Sequence, residues 1–519
     1  MRSRGSHRYL SIFVFLLSGI AWAELVAADN ATPRRVVVVV WDGMRPDMIS
    51  EQHTPTLWKL AHQGVTFRNH HSVYPSATEV NGTAMATGVY PGHSGILANH
   101  EYRPEIDEHE VIDVENAAVI SKADQVYDGK YLAVPTLAEL VRGSGRRTII
   151  ATAKTVGLLQ DRKLDRARDK GSAVLFLGQM RPANALPNIV TLLRAFPKRF
   201  TQKDSWTTRA LTKVLWKDDV ADFSSLWLSE PDGTQHDTAP GSPAAVAALK
   251  SSDDNLARVL HVLDRRGLRS STDIFVVSDH GFSTIERAVD LRKILRDAGF
   301  DIATEFAASP QRGQIMLAGN GGTVLFYVIG HERDVTRRLV EFLQQSDFAG
   351  VIFTREKLPG TFSLADAMID NPRAADVAMA FRWNQKQNPF GVPGLIDADW
   401  QRKAGEGTHV TLSRFDMHNT LIAVGPDFRH GRTDELPTGN VDLAPTICAI
   451  LGINPPAMDG RVLIEAMGGA ARVPEAKTDT LDATKSFPSG TWRQSLKISR
   501  VGSTIYLDEG NGSFSPEKK

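Results

Sequence analysis

The chain has 519 residues, 42% hydrophobic and 23% charged, which supplies enough apolar material for one large core with an inserted or appended subdomain. Lys and Arg total 60 and Asp and Glu total 60, so no bulk charge steers the molecule toward nucleic acid or anionic lipid, and anion recognition falls to a compact site. The single cysteine, Cys448, excludes an intramolecular disulfide and sits in an apolar stretch where it reads as a small buried hydrophobe.

The first elements are those of an export signal. Arg2, Arg4 and Arg8 precede an uncharged apolar run over residues 10–20, and Ala21-Trp22-Ala23 fits a small-x-small cleavage pattern. Residues 1–23 are therefore expected to be removed, with cleavage as late as about residue 28, leaving a secreted or periplasmic protein. The run is shorter than the roughly 20 apolar residues of a membrane span. Next, residues 36–41, 225–229 and 274–278 are continuous apolar runs of the kind buried in parallel sheets. Each leads to a carboxylate: Asp42, Asp232 and Asp279. Helices are expected from Pro55 to Gly64, from about Thr78 to Gly88, and over residues 244–263. Strands at 323–328, 351–354 and 377–383, with a helix at 333–344, suggest an inserted α+β cap over residues 301–405. The core then comprises 34–300 and 406–470, with an apolar helix over 417–424 carrying His418. The polar tail, 471–519, holds one expected hairpin, 496–499 against 503–507.

Ligands in parallel sheets gather beyond the carboxyl ends of the strands, so the three acids can meet in one crevice. Asp232 and His236 are four residues apart, a spacing that aims both at one ion from a helical turn. Asp279 and His280 are adjacent at a strand end, where Gly281 gives the backbone freedom to turn both inward. With His409 these make six oxygen and nitrogen donors, too many for one open catalytic zinc and suited to two zinc ions, with manganese or iron as substitutes. Two ions about 4 Å apart can hold the attacking and leaving oxygens of a phosphoryl displacement. Thr78, just before a helix of small residues, is the candidate nucleophile; the bland alternative is that Ser76 or Thr78 caps that helix. His70, His71 and His418 read as structural or surface histidines.

The segments WDGMRPD (41–47), TPTLWKLAHQGV (54–65), YPSATEVNGTAMATGVYPGHSGILAN (74–99), PDGTQH (231–236), SDHG (278–281) and GTHVTLSRFDMHNTLIAVGPDF (407–428) together resemble the alkaline phosphatase superfamily, in its type I phosphodiesterase/nucleotide pyrophosphatase branch. The resemblance implies an α/β fold with a mostly parallel central sheet flanked by helices. It implies Thr78 as nucleophile and ligand of one zinc with Asp42, Asp279 and His280, and Asp232, His236 and His409 as ligands of the other. Asn99 would hold a phosphoryl oxygen together with the Thr78 amide, and hydrolysis of a small anionic phosphorus compound would pass through a phosphothreonine. The chain departs from the family at Glu79-Val80-Asn81, at Ser94-Gly95 and at Val410, which stands where a glycine usually follows the last histidine.

Lys154, in Thr152-Ala153-Lys154, is similar to a substrate-binding lysine of phosphonoacetate hydrolases in the same superfamily, though the second lysine expected there is Val156. A phosphonate hydrolase or phosphomonoesterase is therefore the alternative enzyme. Cys448 lacks the context of a sulfatase, and Thr78 and the export signal argue against a phosphoglycerate mutase. A catalytically silent binding protein is the non-enzymatic alternative; such a chain would be expected to have lost a ligand or the nucleophile.

Overall fold

Five consecutive valines at residues 36–40 leave strand β1 (Arg35–Trp41) without a polar face, and it lies in the interior of the largest sheet. The computed structural model describes residues 34–161, 169, 171–183, 186–469 and 473–517; the expected export segment falls outside them. The remaining described strands of that sheet are β2 (Val65–His71), β3 (Thr148–Thr152), β4 (Ala173–Phe176), β5 (Gln179–Arg181), β6 (Phe223–Leu228), β7 (Thr272–Val277), β8 (Leu421–Val424) and β9 (Arg432–Gly439). Their order is β9-β2-β8-β7-β1-β6-β3-β4-β5. The run β7-β1-β6-β3-β4 is parallel throughout, whereas β8 is antiparallel to both its neighbours and β5 to β4.

Side chains alternate across β1. Val36, Val38 and Val40 pack on one face with Val80 and Ala84 of helix α2 (Thr78–Thr87). On the other face, Val37, Val39 and Trp41 meet Leu57 and Leu60 of helix α1 (Pro55–Gln63). After β6 the chain forms the short helix α3 (Asp232–Thr238), followed by α4 (Pro243–Arg265), whose Leu256 and Val259 join that second layer. Burying the five valines contributes on the order of 10 kcal/mol, which makes the register of this strand hard to shift.

Residues 302–381 build a second, six-stranded sheet with the helix Arg333–Gln344 beside it. A four-stranded sheet joins Ser283–Ala288 and Gly407–Thr408 to Trp383–Gln387 and Pro393–Ala398, so the chain leaves and re-enters the central layer through paired strands.

Two expectations change. The apolar helix expected over 417–424 is a short helix, Arg414–Met417, followed by strand β8. A four-residue apolar run carries no readable period, and here the gap between β2 and β7 takes it into the sheet. The hairpin expected in the tail is present within the last two of three long antiparallel strands, Ala476–Phe487, Gly490–Val501 and Thr504–Pro516, so the tail holds one strand more than expected. Its first strand is mostly exposed and polar, which hid it from a reading based on apolar alternation.

Candidate active site

The four adjacent parallel strands β7, β1, β6 and β3 each deliver one candidate residue past their carboxyl ends: Asp279, Asp42, Asp232 and Lys154 respectively. Two glycines allow the close approach. Gly43 has φ +67°, and a Cβ there would lie 3.1 Å from the Asp232 Cβ. A Cβ on Gly281 would fall 2.0 Å from the Phe415 carbonyl oxygen. The Gly43 amide donates to Asp279 Oδ1 at 3.0 Å, and the Trp227 indole donates to Asp42 Oδ2 at 2.8 Å. Asn440 donates to the Asp279 carbonyl at 2.7 Å.

Helix α3 places Asp232 and His236 one turn apart, with His236 Nε2 3.2 Å from Asp232 Oδ1. His280 Nε2 lies 3.2 Å from Asp279 Oδ2 and 3.6 Å from Asp42 Oδ1, and its ring stacks on His409 with centroids 3.6 Å apart. His409 Nε2 is 3.7 Å from Asp232 Oδ1. Val410, next in the chain, has φ +80°, a conformation that costs a β-branched residue of order 1–3 kcal/mol and that glycine adopts freely.

Thr78 is the first residue of α2, and Ala77 holds the cap position without a side-chain hydrogen bond, so neither Ser76 nor Thr78 caps the helix. The Thr78 hydroxyl is 3.5 Å from His280 Nε2 and 3.5 Å from Lys154 Nζ. Asn99 accepts the Glu79 amide at 3.0 Å through Oδ1, which leaves its NH2 free to face the adjoining cavity. That cavity, about 290 Å³, is lined by Thr78, Asn99, Lys154, Asp232, His236 and His409. Asp42, Asp279 and His280 are fully buried behind it.

The donor set fits metal ions. Each imidazole engages a backbone carbonyl through Nδ1: His236 with Gly407 at 3.0 Å, His280 with Gly281 at 2.8 Å, His409 with Ser76 at 2.7 Å. A carbonyl only accepts, so Nδ1 carries the proton and Nε2 of the neutral ring presents a lone pair. Asp42 Oδ1, Asp232 Oδ1 and Asp279 Oδ2 are buried without a hydrogen-bond donor. Lone pairs of nitrogen and oxygen thus face one another at 3.2–3.7 Å, an arrangement that a cation between them satisfies. Ligand atoms of Asp232, His236 and His409, and of Asp42, Asp232 and His280, all fall within 4.8 Å of one another. Burial, and then the two neighbouring imidazoles, push His409 well below the ordinary imidazole range, which keeps its lone pair available.

Lys154 bridges the two acids, 2.7 Å from Asp232 Oδ2 and 2.9 Å from Asp42 Oδ2. Burial, with Asp232 and Asp279 adding to it, raises the Asp42 carboxyl well above its usual range. At Asp232 burial acts the same way, but the Lys154 ammonium opposes it and the group is held low. One ammonium does not neutralise three clustered carboxylates. Cavity-lining residues absent from the sequence reading include Phe200, Asn320, Gln401 and Arg402, the last donating to the His236 carbonyl at 3.4 Å. None lies in a motif, and only the folded chain brings them to the cleft.

Residues 36–386 match the type I phosphodiesterase/nucleotide pyrophosphatase family. Among curated proteins, human ectonucleotide pyrophosphatase/phosphodiesterase family member 7 is 22% identical over 510 residues, covering 95% of this chain and 98% of its own. The bis(5'-adenosyl)-triphosphatase enpp4 of Xenopus laevis is 21% identical over 436 residues, covering 82% and 79%. Among solved structures, inactive murine ectonucleotide pyrophosphatase/phosphodiesterase 5 in complex with AMP superposes with a TM-score of 0.61 at 17% identity, covering 84% of this chain and all of that one. The chain belongs to the type I phosphodiesterase/nucleotide pyrophosphatase family of hydrolases.

Proposed function

We propose that the protein is an exported, zinc-dependent phosphodiesterase or nucleotide pyrophosphatase that works through a phosphothreonine at Thr78. The observation that carries this reading is the Thr78 hydroxyl at the start of α2, beside three imidazole lone pairs and three carboxylate oxygens without donors. Members of the family are metal-dependent. Asp42, Thr78, Asp279 and His280 would hold one ion, and Asp232, His236 and His409 the other, as the family resemblance implies. When bound, two such ions supply the Lewis acidity that ionises a hydroxyl near neutral pH and offsets phosphoryl charge.

The residues themselves divide the remaining work. Thr78 Oγ forms the bond to phosphorus as the bond to the leaving oxygen breaks; water then cleaves the phosphorus–Thr78 bond and restores the hydroxyl. The Asn99 NH2 and the Thr78 amide, which has no intrahelical acceptor in the first turn, donate to a non-bridging oxygen. Residues 301–405 act as a cap, with Asn320, Gln401 and Arg402 closing one side of the cavity. Export is supported by the residue pattern of 1–23, and no described helix is long and apolar enough to cross a membrane.

A second reading is favoured by Lys154. Its ammonium, 3.5 Å from the Thr78 hydroxyl, suits a substrate with an additional negative charge, such as a phosphomonoester or a carboxylated phosphonate. Val156, where a second lysine would be expected, is buried instead. A panel run on zinc-loaded protein separates the readings: an aryl phosphodiester, an aryl phosphomonoester, a nucleoside triphosphate and phosphonoacetate. The diester and the triphosphate should be preferred. Preference for the monoester or phosphonate would transfer the assignment to the second reading, and no turnover of any of them with metals bound would indicate a silent binding protein.

A further inference from the structure

A second group of metal-ligating side chains lies outside the cleft just described, where three distant segments meet. His71 ends β2, His418 follows the helix Arg414–Met417, and Asp508 sits in the C-terminal strand Thr504–Pro516. His71 Nε2 is 2.8 Å from Asp508 Oδ1, the His71 and His418 ring centroids are 4.4 Å apart, and one ligand atom of each residue falls within 4.8 Å of the others. Each flanking group is oriented. His71 Nδ1 donates to the Thr438 carbonyl at 2.9 Å, which fixes the ring with its Nε2 aimed at Asp508. Asp508 accepts the Ser499 hydroxyl at 2.8 Å through Oδ2, which leaves Oδ1 toward the histidines. Tyr506 stacks on His71 and fixes the ring plane.

We propose that His71, His418 and Asp508 form a separate binding site for a zinc-class divalent cation. Two imidazole nitrogens and one carboxylate oxygen are the donor set of a three-ligand zinc site that keeps one position open. His418 and Asp508 line an open cavity of about 380 Å³, which provides both an entry path and room for water or a small anion as fourth ligand. The bland alternative is a His71–Asp508 ion pair with His418 merely stacked on it. That pair accounts for two of the three groups, whereas no described residue hydrogen-bonds the His418 ring. Ligand atoms on one tetrahedral zinc lie about 3.3 Å apart, so His71 and Asp508 need to separate by only a few tenths of an ångström. The bound ion would cross-link the central sheet to the C-terminal sheet. The site does not depend on the proposed catalytic reaction.

The test is the zinc content of the full chain after dialysis against buffered zinc, for wild type, His418→Ala and Asp508→Asn. His418 is only half-buried and Asn keeps the shape of Asp, so both substitutions are mild. Wild type should hold one zinc more than either variant, with phosphodiester turnover unchanged within about twofold. Equal zinc in all three overturns the proposal. A second measurement needs no variant: in wild type, zinc should slow diethylpyrocarbonate modification of His418 several-fold, read by peptide mass spectrometry. A rate indifferent to zinc would equally overturn it.

Discussion

At the scale of single residues, the cleft is a problem in charge accounting. Three carboxylates converge on one ammonium and three imidazoles that present lone pairs, which leaves negative charge for cations to offset. Lys154 occupies two of those oxygens, and its ammonium also lies 3.5 Å from the Thr78 hydroxyl, where we propose that it meets the substrate. Replacing it with methionine keeps the stem and removes the charge. Lys154→Met should lower kcat/KM for an aryl phosphomonoester by about 10- to 100-fold, the loss of one charge-assisted contact, and change the diester far less. Equal losses on both substrates would show that Lys154 only organises the carboxylates. The six candidate ligands and Thr78 could be singled out before folding because each sits in a motif at a strand or helix end, and the folded chain brings them to one cleft. Val410 was legible only as a departure. Its positive φ explains why glycine suits the position and identifies a local strain that this chain carries.

At the scale of elements, the parallel order β7-β1-β6-β3 turns residues scattered from Asp42 to Asp279 into neighbours, and the apolar runs that form those strands were readable for the same reason that they are buried. Elements held by partners rather than by their own pattern were not. Strand β8 read as helix, and the exposed strand Ala476–Phe487 read as tail. The side of the cleft that carries Gly321 and Gln401 belongs to this second kind. Asp399 accepts the Gly321 amide at 2.8 Å and the Gln401 amide at 3.0 Å, fixing two cavity-lining residues that no motif announces. Burial pushes the Asp399 carboxyl up to about 6, against an ordinary value of 3.8. The folded chain therefore binds more protons than the unfolded chain between those values. The associated stability is complete below the lower value and lost as pH rises through the upper one. Between pH 4.5 and 7.5 wild type should lose about 2 kcal/mol relative to Asp399→Asn in urea unfolding. Parallel profiles would mean that Asp399 ionises as freely in the fold as outside it.

At the scale of the whole molecule, one central sheet gathers the candidate catalytic residues, and a second sheet is inserted in the chain between its strands β7 and β8. The second sheet, residues 302–381, and the loop carrying Gln401 and Arg402 face a catalytic edge whose residues come almost entirely from other parts of the chain. The family was thus readable from the motifs of the central layer, whereas the residues on the far side of the cavity have no recognisable spacing and were not. Everything rests on one event, the formation of a bond between phosphorus and the Thr78 hydroxyl. Zinc-loaded protein, quenched in acid during turnover of an aryl phosphodiester and digested for peptide mass spectrometry, should carry one phosphoryl group on Thr78, absent when substrate is omitted. Phosphate on another residue, or a Thr78→Ala variant that still turns over at the wild-type rate, would contradict the account.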